Sequence, residues 1–339
     1  MSRLGSVPLS VLDLATVSSG STDAEAVNRS VSLAQHVEGL GYQRFWTAEH
    51  HNIPSVASSA PDLLALRVAD ATSTIRVGAG GVMLPNHSPL QVAERYLTLE
   101  AFHPGRIDLG LGRAPGTDRR TAHAVRRSEA LDFGSQIDEL TGFLDGALPP
   151  GHRYEGIRAL PQGPSRPTLW LLGSSLASAS LAAARGERYV FAAHLAPHLA
   201  GVAVQHYREQ FRPSAALQQP YAIASATVIA AEDDMQADRL AGSSALGFVR
   251  TATGRPQPIP SPEEVDAHRW TDQERAVGQS YLQGQIIGGP KTVEAGLSDL
   301  LETTGADELM ITATVHSADD HRRSFEIIAE AAAGTKASR

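Results

Sequence analysis

The sequence predicts a single (β/α)8 TIM barrel over residues 1–339, with insertions at the C-terminal face of its strands. Eight apolar segments alternate with eight segments of helical spacing, and a chain of 339 residues that is 42% hydrophobic can bury a core of this size. Strands that alternate with helices are parallel and joined by right-handed crossovers. Eight such units are the number that closes a barrel.

Each unit begins with an apolar run that predicts a strand. The first run, SVPLSVLDL, precedes EAVNRSVSLAQHVEGLGY, which has helical spacing and carries Gly39 and Gly41 near its end. A polar, arginine-rich loop separates the fourth run, RIDLGLG, from its helix. In chain order, the predicted strands are 6–14, 44–49, 73–84, 106–112, 168–175, 188–196, 221–230 and 307–315. The predicted helices are 25–42, 61–72, 89–102, 128–148, 176–186, 198–211, 233–249 and 319–333.

Two segments fall outside this repeat, at 149–167 and 253–289. Both are long and rich in Pro and Gly, which predicts excursions over the barrel mouth. The alternative fold is a doubly wound open sheet, which calls for a dinucleotide fingerprint. The nearest match, GLGRAPG, has Pro115 in place of the third glycine and follows the fourth strand instead of the first. This departure favours the barrel.

Composition limits the function. Cysteine is absent, which excludes disulfides, a thiolate nucleophile and cysteine-ligated metal sites. The net charge of −8, without a Lys/Arg-rich block, argues against a nucleic-acid partner and favours a small-molecule substrate. The sequence has neither an apolar run of membrane-spanning length nor the features of a secretory signal, so we expect a cytoplasmic protein with no membrane partner.

The second predicted strand ends in TAEHH, with two adjacent imidazoles. Active sites of such barrels lie at the C-terminal ends of the strands, and alternation predicts that only one of His50 and His51 faces the cavity. A hydrogen-bonded structural histidine is the competing interpretation for either ring. A metal site has little support, because the helical H-E-x-x-H spacing is absent. We therefore expect no metal.

The ends of the next three strands indicate a phosphorylated planar cofactor. Arg113 follows the fourth strand, and Gly173, Ser174 and Ser175 follow the fifth, where first-turn amides, hydroxyls and an arginine can bind a phosphate. Helix capping and a surface ion pair are the alternatives for these residues taken singly. The third strand contains Gly80 and Gly81, which would let a flat ring approach or would meet a packing requirement inside the barrel.

These segments together resemble the bacterial luciferase-like flavin-dependent monooxygenases, especially a subgroup that includes polyketide-tailoring oxygenases of actinobacteria. The resemblance runs through nearly the whole chain. It rests on VPLSVLDL, FWTAEHH, IRVGAGGVMLPNHSPLQVAE, LEAFHPGRIDLGLGRAPGTD, LWLLGSS, FAAHLAP, IIGGP and TGADELMIT.

The resemblance assigns roles to individual residues. By position it implies that His50 is the catalytic imidazole, with His51 as its neighbour, and that Gly80–Gly81 matches a non-proline cis peptide beneath the flavin ring. It implies phosphate binding by Arg113 and by the turn of Ser174 and Ser175, with Arg127 as a further candidate for a second phosphate cation. The family's reactive cysteine before the arginine is replaced by Gly112, which argues against light emission.

The function implied by the resemblance is that of a two-component monooxygenase. Reduced FMN (FMNH2) would come from a separate NAD(P)H:flavin reductase and react with O2 to a C4a-(hydro)peroxyflavin, which hydroxylates or epoxidises a small organic substrate such as an aromatic polyketide of antibiotic biosynthesis. We expect Phe45, Trp46 or Met83 to supply apolar walls, and His87 and His194 are further candidates for the pocket. The family also implies a homodimer. The alternatives are a deazaflavin (F420)-dependent hydride-transfer oxidoreductase and a non-catalytic flavin-binding protein.

Overall fold

The computed structural model describes residues 4–125, 127 and 132–337, and in the last helix it describes side chains to residue 334. Its strands are β1 Leu9–Asp13, β2 Arg44–Thr47, β3 Arg76–Met83, β4 Ile107–Gly112, β5 Thr168–Gly173, β6 Arg188–Phe191, β7 Ala222–Ala230, β8 Ile286–Gly288 and β9 Glu308–Thr312. Strands β1 to β7 and β9 form a closed parallel barrel, in which β6 pairs with β7, β7 with β9, and β9 with β1. The predicted fold class is confirmed.

All eight predicted strands form the barrel, although several are shorter than expected: the sixth ends at Phe191 instead of 196. The second strand is shorter too. It ends at Thr47, so Glu49, His50 and His51 lie in the loop that follows the strand. The ninth strand, β8, pairs only with the last residues of β7, Val228–Ala230, and lies outside the closed ring.

The helices alternate with the strands as the apolar spacing predicts. Their bounds are α1 Asp23–Gly39, α2 Pro61–Ala71, α3 Pro89–Phe102, α4 Arg119–Ala124, α5 Phe133–Leu144, α6 Leu176–Arg185, α7 Ala200–Gln210, α8 Asp234–Ala252, α9 Pro262–Ala267, α10 Asp272–Leu282, α11 Pro290–Thr304 and α12 Ala318–Ala337. Three-residue 3-10 turns lie at Leu4–Ser6, Leu84–Asn86 and Pro197–Leu199.

The sequence interpretation missed part of this helical structure. It did not assign α11, although Pro290 begins this helix and Gly305 ends it with a left-handed backbone, φ 60°. The segment 253–289, expected to be an excursion, contains α9, α10 and β8. The predicted helix over 128–148 corresponds to α5, and residues 128–131 lie outside the described residues.

The bottom of the barrel interior is closed by buried ion pairs. Arg44 donates to Asp108 at 3.0 Å and to Glu308 at 2.8 Å, and both carboxylates are fully buried. Asp108 also accepts from Arg76 at 2.6 Å and from the indole N–H groups of Trp46 and Trp170 at 3.0 and 3.3 Å. These contacts compensate charges that would otherwise be costly to bury.

An apolar layer lies above the ion pairs. Trp46 and Trp170 pack in an edge-to-face arrangement with a ring separation of 5.4 Å, and Leu12, Val190, Ile223 and Met310 complete the layer. Phe45, next to Trp46 on β2, points to the other side and joins the core between barrel and helices. In the described part of the chain, these two layers fill the lower part of the barrel interior, below the cavity at its C-terminal face. Among the described residues, none of the helices has the length and apolar character needed to cross a membrane.

Candidate active site

A cavity of about 390 Å³ lies at the C-terminal face of the barrel. Each of the eight barrel strands contributes lining residues, most of them from the C-terminal half of the strand or the loop after it, whereas Ser225 and Met310 lie within β7 and β9. The apolar part of the wall is formed by Leu12, Leu14, Met83, Phe133, Leu172, Leu181, Val190, Leu195 and Met310. Met83 is thus in the wall as expected, whereas Phe45 and Trp46 lie in the core and do not line the cavity.

The cavity brings together most of the residues that the sequence singled out. Those in its wall are His50, Gly80, Gly81, Arg113, Gly173, Ser174 and Ser175. His51, Arg127 and His87 lie outside this wall, and His194 lies within it.

The loop after β2 holds the His50 ring at the cavity. Its Nδ1 lies 3.3 Å from the Gly116 carbonyl, and its backbone N–H donates to Ser58 O at 2.9 Å. Gly116 has a left-handed backbone, φ 65°, and a Cβ there would lie 2.7 Å from Glu49 O. Burial lowers the pKa of His50 below its ordinary value. Its neutral form is therefore favoured at pH 7.

His51 turns away from the cavity toward Glu49, as expected for one of two adjacent imidazoles. The buried Glu49 carboxylate accepts from His51 Nε2 at 2.9 Å and from His87 Nε2 at 3.0 Å. It also accepts from the Met83 amide at 2.8 Å and from the Asn86 side chain at 3.1 Å. Burial acts to raise the pKa of Glu49, but these hydrogen bonds lower it below its ordinary value. Glu49 thus ties the loop of His50 to the end of β3.

The glycine pair in β3 meets a packing requirement and also lies in the cavity wall. The Gly80–Gly81 peptide is cis and lies in the cavity wall. A Cβ on Gly80 would lie 2.8 Å from Leu12 Cδ1, and one on Gly81 would lie 2.7 Å from the Gly110 carbonyl. Packing inside the barrel therefore excludes side chains here, and the same absence of side chains leaves an open wall for a flat ligand.

The space beside Gly112 is filled by a flexible side chain from β3. A Cβ on Gly112 would lie 2.5 Å from Met83 Cε and 3.0 Å from Met83 Sδ. The Met83 side chain thus occupies the space into which a side chain at position 112 would project. Met83 fills this space with a thioether, which has no S–H group.

The other side of the cavity is suited to an anion. Arg113 is exposed, and no carboxylate among the described residues lies within 4.0 Å of its guanidinium, the limit for an ion pair. Ser175 caps α6 by accepting from the Ser178 amide at 3.3 Å, whereas the Ser174 hydroxyl has no hydrogen-bond partner in the described part of the chain. The first amides of a helix also lack helical acceptors. Because β4 and β5 are paired, these groups lie at adjacent strand ends.

Arg127 lies behind Arg113 and supports it. Its Nη2 donates to the Arg113 carbonyl at 2.7 Å, and its Nη1 donates to Asn86 Oδ1 at 3.1 Å. A direct contact of Arg127 with phosphate stays a prediction, because the side chain lies outside the cavity wall.

Sequence reasoning missed Ser225, which is a cavity residue on β7. Ser225 is 1% exposed and contacts His194 Nδ1 at 2.7 Å. A serine in the apolar run YAIASATVIA gave one usable signal: at period two it shares a face with Ile223, which points into the barrel. Its contact with His194 depends on the pairing of β6 with β7 and was not visible in the sequence.

The donor set fits a phosphorylated flavin. An open wall at the glycine pair, apolar sides, an arginine without an ion-pair partner among the described residues and the first amides of α6 can accommodate a flat ring system and a phosphate. Within the described residues, no three His, Cys, Asp or Glu side chains are grouped closely enough to hold a metal ion.

Comparison with known proteins identifies the family. The family model described as luciferase-like monooxygenase matches residues 7–308 of this chain. The chain belongs to the luciferase-like monooxygenase family. It is 40% identical to a luciferase-like monooxygenase of Escherichia coli strain K12 over 324 residues, which cover 95% of this chain and 96% of that protein. The crystal structure of apo-MsnO8 superposes with a TM-score of 0.89 at 35% identity and covers 96% of this chain and 97% of that one.

Two further comparisons concern substrate and cofactor. The chain is 32% identical to the N-acetyl-S-alkylcysteine monooxygenase of Bacillus subtilis strain 168, over 97% of this chain and 99% of that protein. The oxygenating constituent of 3,6-diketocamphane monooxygenase from Pseudomonas putida, solved with FMN, shares the fold at 18% identity and a TM-score of 0.70, over 98% of each chain. The luciferase-like family supports an oxidoreductase that binds a flavin and a small organic substrate.

Proposed function

We propose that this luciferase-like protein is the oxygenase component of a two-component flavin-dependent monooxygenase. It takes reduced FMN from a separate NAD(P)H:flavin reductase and uses O2 to hydroxylate or epoxidise a small organic substrate. We further propose that it works in the cytoplasm as a homodimer. The observation that carries the proposal is the convergence of His50, the glycine pair, Arg113 and the Ser174–Ser175 turn on one cavity.

Each part of the cavity has a task in this proposal. Arg113, Ser174 and the first-turn amides of α6 bind the phosphate and fix the position of the ring system. The open wall at Gly80–Gly81 receives one face of the ring, and the apolar side chains exclude water. Bound reduced flavin supplies electrons for the activation of O2.

His50 is the proton-handling group of the proposal. Its Nδ1–H donates to the Gly116 carbonyl, which leaves Nε2 as the atom that can accept or return a proton. Because burial favours the neutral ring, His50 is available as a base at pH 7. Gly116 and the Glu49 contacts set the orientation of the loop that carries the ring.

The phosphate site is tested by ligand binding. Arg113→Gln should weaken FMN binding about tenfold to a hundredfold, since charge-assisted hydrogen bonds contribute about 1.5–3 kcal/mol. Riboflavin lacks the phosphate, so its affinity should not change. Arg120→Gln is the matched control, because Arg120 is an exposed arginine nearby that lies outside the cavity wall. Equal losses for FMN and riboflavin would refute the assignment of Arg113.

The oxygenase chemistry is tested by mixing the protein anaerobically with reduced FMN and admitting oxygen. We expect a transient absorbance that differs from both reduced and oxidised FMN and that outlives the one in free solution. Direct oxidation without a transient, together with tighter binding of F420 than of FMN, would favour the deazaflavin-dependent alternative. An F420-dependent secondary alcohol dehydrogenase shares the fold at 12% identity and a TM-score of 0.66.

The substrate proposed is an aromatic or polyketide-like molecule, and the apolar wall of the cavity supports a hydrophobic ligand. A panel should contain aromatic compounds, short aliphatic aldehydes and an N-acetyl-S-alkylcysteine, the last chosen from the name of the Bacillus relative. Turnover of the aldehyde or thioether with none of any aromatic compound would contradict the proposal. A His50→Ala variant that forms product like the wild type would favour a non-catalytic flavin-binding protein.

A further inference from the structure

A second imidazole, His194, faces His50 from the opposite side of the cavity. His50 follows β2 and His194 follows β6, and these two strands are four places apart in the closed ring of eight. Both side chains line the same cavity. A ligand lying across the barrel mouth therefore comes between two histidines.

The neighbours of His194 determine its tautomer. Ser225 Oγ lies 2.7 Å from His194 Nδ1 and 3.2 Å from the Phe191 carbonyl. A hydroxyl has one proton, and the carbonyl can only accept. Both contacts are hydrogen bonds only if His194 Nδ1–H donates to Ser225 and Ser225 donates to Phe191. His194 Nε2 then carries a lone pair.

His50 has the same arrangement. Its Nδ1 lies 3.3 Å from the Gly116 carbonyl, and a carbonyl requires the proton on Nδ1. Neither Nε2 atom has a hydrogen-bond partner among the described residues. Burial lowers the pKa of both rings, that of His194 to about 4 with a further contribution from repulsion by His50. Both rings are thus neutral at pH 7 and present acceptors.

We propose that His194 and His50 form an acceptor pair across the cavity, in which Nε2 of His194 accepts a hydrogen bond from a hydroxyl group of the organic substrate. A hydroxyl can donate to Nε2, whereas the oxygen of a carbonyl or ether meets only lone pairs there. The site would therefore select a hydroxylated aromatic over its methyl ether. This inference deepens the proposed function by naming a substrate class, and it rests on that function for the identity of the ligand as a substrate.

Binding of 1-naphthol and 1-methoxynaphthalene to the full-length protein carrying oxidised FMN tests the inference. The wild type should bind 1-naphthol at least tenfold more tightly. His194→Phe, which removes the acceptor, should lose this preference, while His194→Gln, with a side-chain oxygen, should keep part of it. His206→Gln is the control, because His206 bonds Ser180 on the outer helices. Equal binding of the two probes by the wild type would overturn the inference.

A second measurement has its decisive part in the wild type, so it does not require that a variant folds. In protein with 15N-labelled histidine at pH 7, the His194 signals should show a protonated Nδ1 and an unprotonated Nε2, and Ser225→Ala should shift this tautomer balance. A protonated Nε2 in the wild type would refute the acceptor role.

The two experiments also separate the inference from the cofactor and from the proposed function. An unchanged affinity for FMN in His194→Phe would support a contact between His194 and the organic ligand. A tenfold loss of FMN affinity would show that His194 binds the flavin instead, and it would contradict the inference. Selection of 1-naphthol without an oxygen-dependent absorbance transient would refute the oxygenase function and leave the acceptor pair supported.

Discussion

Lowering the pH from 7.5 to 4.5 should destabilise the wild type more than a His194→Asn variant. His194 has a pKa of about 4 in the folded protein, because the ring is buried and faces His50. In the unfolded chain its pKa is about 6.5. Between these values the unfolded state binds the additional proton, so the unfolding free energy decreases as the pH falls. The stabilisation is complete above the unfolded pKa and is lost progressively toward the folded one.

The magnitude follows from the two pKa values. At pH 4.5 the unfolded imidazole is almost fully protonated while the folded ring is mainly neutral, which corresponds to about 2.5 kcal/mol of lost stability. Asparagine can still donate to Ser225 and does not titrate, so the variant should lack this part of the pH dependence. Groups that titrate in both proteins cancel in the comparison.

The assay is urea unfolding at pH 7.5 and 4.5, followed by the fluorescence of the buried Trp46 and Trp170. The wild type should lose about 2.5 kcal/mol more than His194→Asn over this interval. His198→Asn removes an exposed imidazole and serves as the control for the loss of one histidine. A difference between wild type and His194→Asn of less than about 0.5 kcal/mol would refute a buried, neutral His194.

Three further substitutions test the framework around the site. Asp108→Asn should lower the unfolding free energy by about 3–5 kcal/mol, because it leaves the buried Arg44 and the half-buried Arg76 beside a neutral amide. In the same denaturant unfolding assay, Asp319→Asn, at an exposed position, should change the unfolding free energy by less than about 0.5 kcal/mol. Equal effects of the two substitutions would contradict a role of Asp108 in compensating the arginines. Gly116→Ala should lower the rate of product formation at least tenfold, while the affinity for FMN should stay within about twofold of the wild type. The reason is that a Cβ on residue 116 would meet Glu49 O and displace the Gly116 carbonyl that holds the His50 ring. An unchanged rate would contradict the role of Gly116 in orienting His50. Glu49→Gln should lower the unfolding free energy by about 1.5–3 kcal/mol in the same assay, because an amide N–H₂ group replaces one of the two acceptor oxygens. An unfolding free energy equal to that of the wild type would show that the loop after β2 does not depend on this carboxylate.

The sequence was sufficient to predict the barrel because its strands are marked locally. Each of the eight runs is apolar enough to read as a buried strand, and all eight occupy the ring. The prediction failed where a signal was weaker than its surroundings. Helix α11 follows a Pro- and Gly-rich segment and was left unassigned, and the second strand was predicted to continue past Thr47 into the loop.

The sequence also located the polar groups of the candidate site, since strand ends carry them in barrels of this kind. It predicted that one imidazole of TAEHH would face the cavity, and His50 lies in the wall while His51 binds Glu49. Strand alternation could not decide between the two, because both residues lie beyond the end of β2. Their functional roles, and those of Arg113 and the serine turn, remain predictions.

By itself the sequence determined the order of strands and helices, the absence of thiol chemistry and the set of polar residues at the strand ends. Those properties are encoded in residue type and spacing along the chain. Only the tertiary structure decided which polar atoms meet: Glu49 with His87, His50 with Gly116, and His194 with Ser225. These partners are between 31 and 66 residues apart in the chain, and the pairing of their strands in the barrel brings them together. A hydrogen bond requires atoms within about 3 Å, and only packing in three dimensions fixes distances on that scale.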